Sequence, residues 1–417
     1  MSKLQAPLRW TAALTLVALL GAALAACGGG GGSSALVSAP PTVINYTPIT
    51  VNGGPPGVNA INTPYITVTM CVPGTNTCQT IDSVLVDTGS IGFRVLAGAL
   101  GNGLTSPQLP QVTDSSGDAV VECVQFIDGY SWGPVKAADI KIAGETASNV
   151  DIQVIGDPAY PAATLAPAAC TSSVNVEEDT VLTFGANAVL GVGNYLQDCN
   201  PCLSDGSSYN VCTSSTPTTC QPVAVSAGLV TNPVASFASD NNGVVIQLPT
   251  VSTAGAASVS GTLWFGIGTQ SNNGLGSATV YQLDPDYGTF VSTFDGQTLT
   301  MSFEDSGSNA NFFPDPAITA CPQSDPFFGF YCPASTVDTS ATIQGYAGNS
   351  VTVPFTVTDP DSTLSYTAAA APDLGGPESK VAAQSFDWGL PFFFDRTVFI
   401  GFETATIGGV TGPLIAF

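Results

Sequence analysis

The sequence predicts an all-β protein of two duplicated lobes with a cleft between them, on three observations. A short motif occurs twice, 218 residues apart, as VLVDTGSIGF around Asp87 and MSFEDSGSNANF around Asp305; each is an apolar run ending in Asp-(Thr/Ser)-Gly-Ser. Segments such as YITVTMCV, AVVECVQFI, ADIKIAG, NVDIQVI, GVVIQLP, GTLWFGI, QTLTMSF and SVTVPFTV are short, β-branched and aromatic, and Gly, Pro, Asn or Asp separate them. Beyond the N-terminal segment, about 350 residues exceed what one hydrophobic core usually supports.

Residues 1–26 read as an export signal. Lys3 and Arg9 precede an apolar run from Trp10 to Ala26 that ends in small residues. Leu24-Ala25-Ala26-Cys27 resembles a bacterial lipobox, which implies cleavage before Cys27 and lipidation of that cysteine. Residues 27–60, opening with GGGGGSS, are expected to be a flexible lipid-anchored tether, and Gly28 suits sorting to an outer membrane. The expected location is therefore the bacterial cell envelope. The first lobe is placed at 61–235 and the second at 236–417, with the boundary in the Ser/Ala/Asn-rich stretch between Ser226 and Asn242.

Composition narrows the chemistry by exclusion. The chain has no histidine, so Ser-His-Asp triads, Cys-His dyads and His-ligated zinc are excluded. Carboxylates are the main catalytic resource left. Seven Lys+Arg stand against 31 Asp+Glu, and loss of Lys3 and Arg9 with the signal leaves 5 minus 31, or −26. That charge argues against nucleic acid and anionic headgroups as partners, since both need a basic surface.

Of 11 cysteines, ten follow Cys27, an even number in a chain expected to be exported. Cys71 and Cys78 bracket a Pro-Gly turn and are expected to pair across a hairpin; Cys321 and Cys332 flank an aromatic loop and form a second local pair. Cys199, Cys202, Cys212 and Cys220 have no standard zinc spacing and are read as two disulfides in an inserted loop, which leaves Cys123 for Cys170.

With the two aspartate motifs in the two halves, the arrangement resembles the pepsin-like aspartic proteases over residues 61 to 417. In that family an apolar-apolar-Gly strand backs each aspartate loop; Val189-Leu190-Gly191 ends 104 residues after Asp87, and Trp388-Gly389 ends 84 after Asp305. GTLWFGIG, YGTFVSTFDGQTL and TVFIGFETATIG follow the family's strand order, and the Cys-rich stretch from Tyr195 to Gln221 is an addition to it. The resemblance implies an aspartic endopeptidase in which Asp87 and Asp305 face each other, share one proton because they cannot both ionise freely, and activate a water. It implies that Thr88 and Ser306 reach across to the opposite loop, that Ser90 and Ser308 donate to the outer carboxylate oxygens, and that Gly89 and Gly307 allow close backbone approach. The expected partner is a polypeptide substrate or protein ligand in the cleft of a monomer, with no cofactor, metal or nucleic acid. Membrane contact is expected only through Cys27. The alternative is a catalytically silent binding or surface-interaction module on the same fold.

Two features depart from the family. The lid that closes over substrate corresponds here to VQFIDGYSWGPV, with Phe126, Tyr130 and Trp132 as lid candidates, and it reads as short or rebuilt. Arg94 stands where the family commonly has a tryptophan; it either lies buried near Asp87, favouring that group's ionised form, or turns to solvent. The Asp284-Pro285-Asp286 and Asp359-Pro360-Asp361 segments read as turns rather than calcium loops. The clusters Phe312-Phe313, Phe327-Phe328 and Phe392-Phe393-Phe394 read mostly as core, and Glu177, Glu178 and Asp179 as a solvated charge run.

Overall fold

Alternating burial defines the strands that carry the first motif. In β3 (Cys78–Asp87) Gln79 and Ile81 are buried while Thr80 and Asp82 face solvent, and after an irregularity at Ser83 (φ 49°) Val84 and Val86 are buried in turn; on either side of that break burial has the period of two that a half-buried strand requires. The computed structural model describes residues 44–417 apart from 128, 172–175, 199–207, 214–218, 226–227, 365–367 and 379–383. The signal segment, Cys27, Cys199 and Cys202 lie outside the described residues.

The first half builds a closed barrel. Its strands are β2 (Pro64–Cys71), β3, β4 (Ile91–Leu96), β6 (Tyr130–Ile142), β7 (Glu145–Ile155) and β8 (Ala188–Val192), and β5 (Ala119–Gln125) forms a hairpin with the start of β6. Pairing runs β6-β7-β4-β8-β3-β2 and returns from β2 to β6 through Thr69↔Lys141 and Cys71↔Asp139. The barrel is filled by Val68, Met70, Val86, Phe93, Ile152 and Leu190, all with no exposed surface. Outside β5 the sheet continues with β9 (Tyr209–Cys212) and β10 (Cys220–Pro222) from the Cys-rich insertion.

A base sheet joins the halves. It comprises β1 (Tyr46–Val51), then β12 (Val259–Phe265), β11 (Gly243–Leu248), β21 (Arg396–Gly401), β24 (Leu414–Ala416) and β13 (Val280–Gln282). The expected tether thus ends too late: residues 46–51 are a strand, registered antiparallel on β12 from Tyr46↔Trp264 to Val51↔Val259. Ile49 and Val51 alternate inward with no exposed surface, a two-residue period too brief to stand out from its Pro- and Gly-rich flanks. Residues 43–417 cluster as one compact unit, so the lobes share this base.

The second half stacks a further sheet, β18 (Ser350–Val357), β17 (Val337–Gln344), β14 (Phe290–Phe294), β15 (Gln297–Glu304), β20 (Asp387–Trp388), β16 (Asn311–Phe313) and β19 (Gly375–Pro377). A ribbon of β22 (Thr406–Ile407) and β23 (Val410–Thr411) closes the list of strands. Aromatic side chains make this lobe's core: the Phe386 ring stacks 4.1 Å from Trp388 and 5.0 Å from Phe313. Phe313 and Phe392–Phe394 are buried, as expected, whereas Phe328 is 61% exposed.

The fold class is the expected one, all-β, and every strand-like segment named above falls in a strand. Four disulfides are formed among the described residues: Cys71–Cys78, Cys123–Cys170, Cys212–Cys220 and Cys321–Cys332. Asp284 and Asp359 are turn residues: Asp284 accepts the N–H groups of Asp286 and Tyr287, and Asp359 caps the turn Pro360–Thr363.

Because Phe386 has no exposed surface and touches aromatic rings on two sides, Phe386→Ala is expected to cost about 3–5 kcal/mol. A fall in the urea midpoint at unchanged slope, with disulfides intact, is the expected reading; an unchanged midpoint would show that this cluster does not hold the lobe.

Candidate active site

Parallel pairing sets both motif loops. β8 lies parallel to β3, with Leu190 opposite Val86 and Gly191 opposite Asp87. In the second half β20 lies parallel to β15 with Trp388 opposite Glu304, and the Asp305 N–H donates to the Trp388 carbonyl at 2.9 Å. The glycines of both backing strands are required by space: a β-carbon at Gly389 would fall 2.0 Å from the Ala310 carbonyl oxygen, and one at Gly191 2.8 Å from the backbone of Ile91.

Each chain leaves its strand in an Asp-X-Gly turn whose glycine N–H binds the aspartate before it. Gly89 N–H donates to Asp87 Oδ1 at 2.9 Å and Gly307 N–H to Asp305 Oδ1 at 2.7 Å. Four bonds cross between the loops. Thr88 Oγ1 donates to the Glu304 carbonyl at 3.1 Å and accepts from the Ser306 N–H at 2.9 Å; Ser306 Oγ donates to the Val86 carbonyl at 2.8 Å and accepts from the Thr88 N–H at 3.1 Å. This is the cross-loop contact expected of Thr88 and Ser306.

The two carboxyl groups border one small space. A β-carbon at Gly307 would lie 2.8 Å from Asp87 Oδ1 and 3.1 Å from Asp305 Oδ1, and one at Gly89 would lie 2.5 Å from Asp305 Cγ. Loss of hydration pushes the Asp305 carboxyl well above the usual carboxylate range; the neighbouring Asp87 charge and a hydrogen bond with the Asp87 carboxyl push the same way. Ser308 Oγ lies 2.9 Å from Asp305 Oδ2, as expected. Its counterpart does not repeat the contact: Ser90 Oγ is buried with no hydrogen-bond partner, so the expected donation to Asp87 is absent.

Sequence reasoning missed two acids beside the pair. Asp387 is 7% exposed and its Oδ2 lies 2.6 Å from Ser308 Oγ; burial first, then the Asp305 charge, push it well above the usual range. Glu304 is 3% exposed, its Oε2 has no partner, and burial raises it from the ordinary 4.5 to about 8. The only signal in the sequence was an acid where apolar residues are expected, in FED and FDW.

The lid region departs from expectation. The β5–β6 hairpin is well formed, paired from Val121↔Pro134 to Gln125↔Tyr130, and it is anchored at both edges. β9 pairs along β5, while Tyr130 exchanges backbone bonds with Val176 and Glu178, both 2.9 Å. The Cys123–Cys170 bridge and two bonds from the Gln125 amide to the Ala169 and Cys170 carbonyls add further ties. Tyr130 and Trp132 turn inward rather than forming a lid: they are 7% and 1% exposed, and Trp132 Nε1 donates to the Tyr160 carbonyl. Phe126 stays half-buried near Phe184, with ring centres 6.3 Å apart. The acidic run 177–179 is not simply solvated, since Glu178 is 4% exposed and its backbone seals the hairpin edge.

Arg94 is buried, as one of the two expectations had it, but its guanidinium is taken up by other acids than Asp87. It is 2% exposed and bonds Glu122 on the hairpin at 2.7 and 3.2 Å and Asp198 at 2.8 Å. Burial would lower its pKa, but these two carboxylates outweigh that and raise it. Tyr209 completes the cluster by donating to Asp198 Oδ1 at 2.6 Å.

The chain belongs to the family described as protein of unknown function (DUF3443), whose model matches residues 41–417. No curated protein matches it. Among solved structures it is similar to the aspartic proteinase from Irpex lacteus, at 15% identity and a TM-score of 0.49, covering 89% of this chain and 96% of that one.

An acid raised on folding, as Glu304 is, stabilises the folded state fully below its unfolded value and loses that contribution as pH climbs from about 4.5 through about 8. Glu304→Gln removes this titration. The variant is expected to match the parent near pH 4 and to exceed it by on the order of 5 kcal/mol above pH 8. Parallel melting-temperature curves across that range would overturn the assignment.

Proposed function

We propose that this protein is an aspartic endopeptidase whose reacting groups are Asp87 and Asp305. The observation that carries the reading is the geometry of the pair: two carboxyls on two crossing-bonded loops, with their inner oxygens on one shared space. A water between them is the nucleophile. The ionised member takes a proton from that water as its oxygen bonds to the peptide carbonyl carbon, and the protonated member donates to the carbonyl oxygen, giving a neutral gem-diol. Collapse breaks the C–N bond: the leaving nitrogen takes a proton from the carboxyl that received it, and a gem-diol hydroxyl passes its proton to the other carboxylate as the C=O bond re-forms, so the pair returns to one proton. The pair titrates as a unit, and the raised Asp305 carboxyl supports its retention of that proton in acid.

The ligand is a polypeptide chain laid between the lobes. We place the protein in the bacterial cell envelope, anchored through lipidated Cys27; four formed disulfides support an oxidising compartment. Among the described residues no helix is long and apolar enough to cross a membrane. A second reading, a cleft that binds without cutting, draws support from the anchored hairpin and the partnerless Ser90 hydroxyl.

The test incubates the purified protein, Asp87→Asn and Asp305→Asn with a diverse peptide library from about pH 3 to about pH 8. Cleavage is expected on the acid side, reduced roughly a thousand-fold or more in each variant. Folded proteins that never cut, with library peptides retained on the column, would favour the binding reading.

A further inference from the structure

The environment of Ser308 contains one proton too few. Its hydroxyl oxygen lies 2.9 Å from Asp305 Oδ2 and 2.6 Å from Asp387 Oδ2, yet a hydroxyl carries a single proton and can donate only once. If both acids were ionised, one of these contacts would set a carboxylate oxygen against a hydroxyl lone pair. The shorter contact is the one to Asp387. Asp387 Oδ1 is buried and accepts nothing, which an ionised carboxylate tolerates poorly and a carbonyl oxygen of a neutral acid tolerates better. The titratable groups facing Asp387 are Asp305, Asp87 and Glu378, with Glu304 on the adjoining β15; all are acids.

We propose that Asp387 is a neutral acid that donates through Oδ2 to Ser308 Oγ, so that Ser308 spends its own proton on Asp305 Oδ2. The chain Asp387, Ser308, Asp305 makes Asp387 a positioning residue of the pair, a role that rests on the endopeptidase reading for its catalytic consequence. The device is one-sided. The first half has Val189 at the corresponding place, two residues before the backing glycine, and Ser90 there makes no bond to Asp87. Asp305 therefore accepts two fixed donors, from Gly307 and Ser308, while Asp87, apart from its hydrogen bond with the Asp305 carboxyl, has one fixed donor among the described residues, the Gly89 N–H. The pair is unequal by construction, and Asp387 holds the inequality in place for as long as it keeps its proton.

Infrared difference spectra at neutral pH between the full oxidised protein and Asp387→Asn test the protonation directly, whether or not the protein cuts peptides. The expected result is loss of one protonated-carboxyl C=O band, shifted in deuterium oxide; no loss of such a band overturns the proposal. If the protein cleaves peptides, Asp387→Asn, which still offers an N–H to Ser308, keeps kcat in acid within about threefold. Asp387→Val and Ser308→Ala each lower kcat roughly 10- to 100-fold with little change in KM, and the double variant loses no more than either single one. Additive losses, or a valine variant that folds and cuts like the asparagine one, would show that no chain runs through Ser308. A protein that never cuts but loses the band would refute the endopeptidase reading while leaving the neutral acid standing.

Discussion

Two hydroxyl side chains impose the constraint on which the rest of the site depends. Thr88 and Ser306 each accept an N–H from the opposite loop and donate to a carbonyl in the opposite half. Separating the loops would strand several buried polar groups at once, each worth about 1–3 kcal/mol when left unsatisfied. That resistance is what lets two carboxyl groups be held on one space against their repulsion. The backing strands and their glycines serve the same end by fixing where each loop leaves its sheet.

The electrostatics around this constraint are lopsided. Asp305, Asp387 and Glu304 are all displaced toward their protonated forms by burial. The buried guanidinium of the first lobe, Arg94, is committed to Glu122 and Asp198.

Much of this was legible in the sequence, for identifiable reasons. A strand ending in Asp-X-Gly-Ser and a backing strand ending in glycine are local signals, and both appear twice. The pairings Cys71–Cys78 and Cys321–Cys332 follow from short spans across turns. What escaped was non-local. β1 looks like tether because its partner, β12, is more than 200 residues away in the chain. Arg94 meets its partners from two other segments, and Tyr130 and Trp132 are buried by a cluster that draws in Tyr160, Ala162, Leu165 and Cys170 from a later segment. Asp387 was hidden by its neighbours, since Trp388 and Gly389 explain the strand and an acid before them carries no periodicity of its own.

The base sheet carries a consequence for the order in which the molecule comes into being. The barrel of the first half closes on itself with strands that all lie between Pro64 and Val192, so its pairing partners are present early in a chain made or exported from its N-terminus. The base is different: it seats β1 against β12 and needs β21 and β24, the last of which ends one residue before the C-terminus. The grip on Asp87 likewise waits for Ser306, and the backing of Asp305 waits for β20. Chain order thus places one aspartate among strands that pair locally, while the grip that holds it beside the second acid joins residues 218 positions apart.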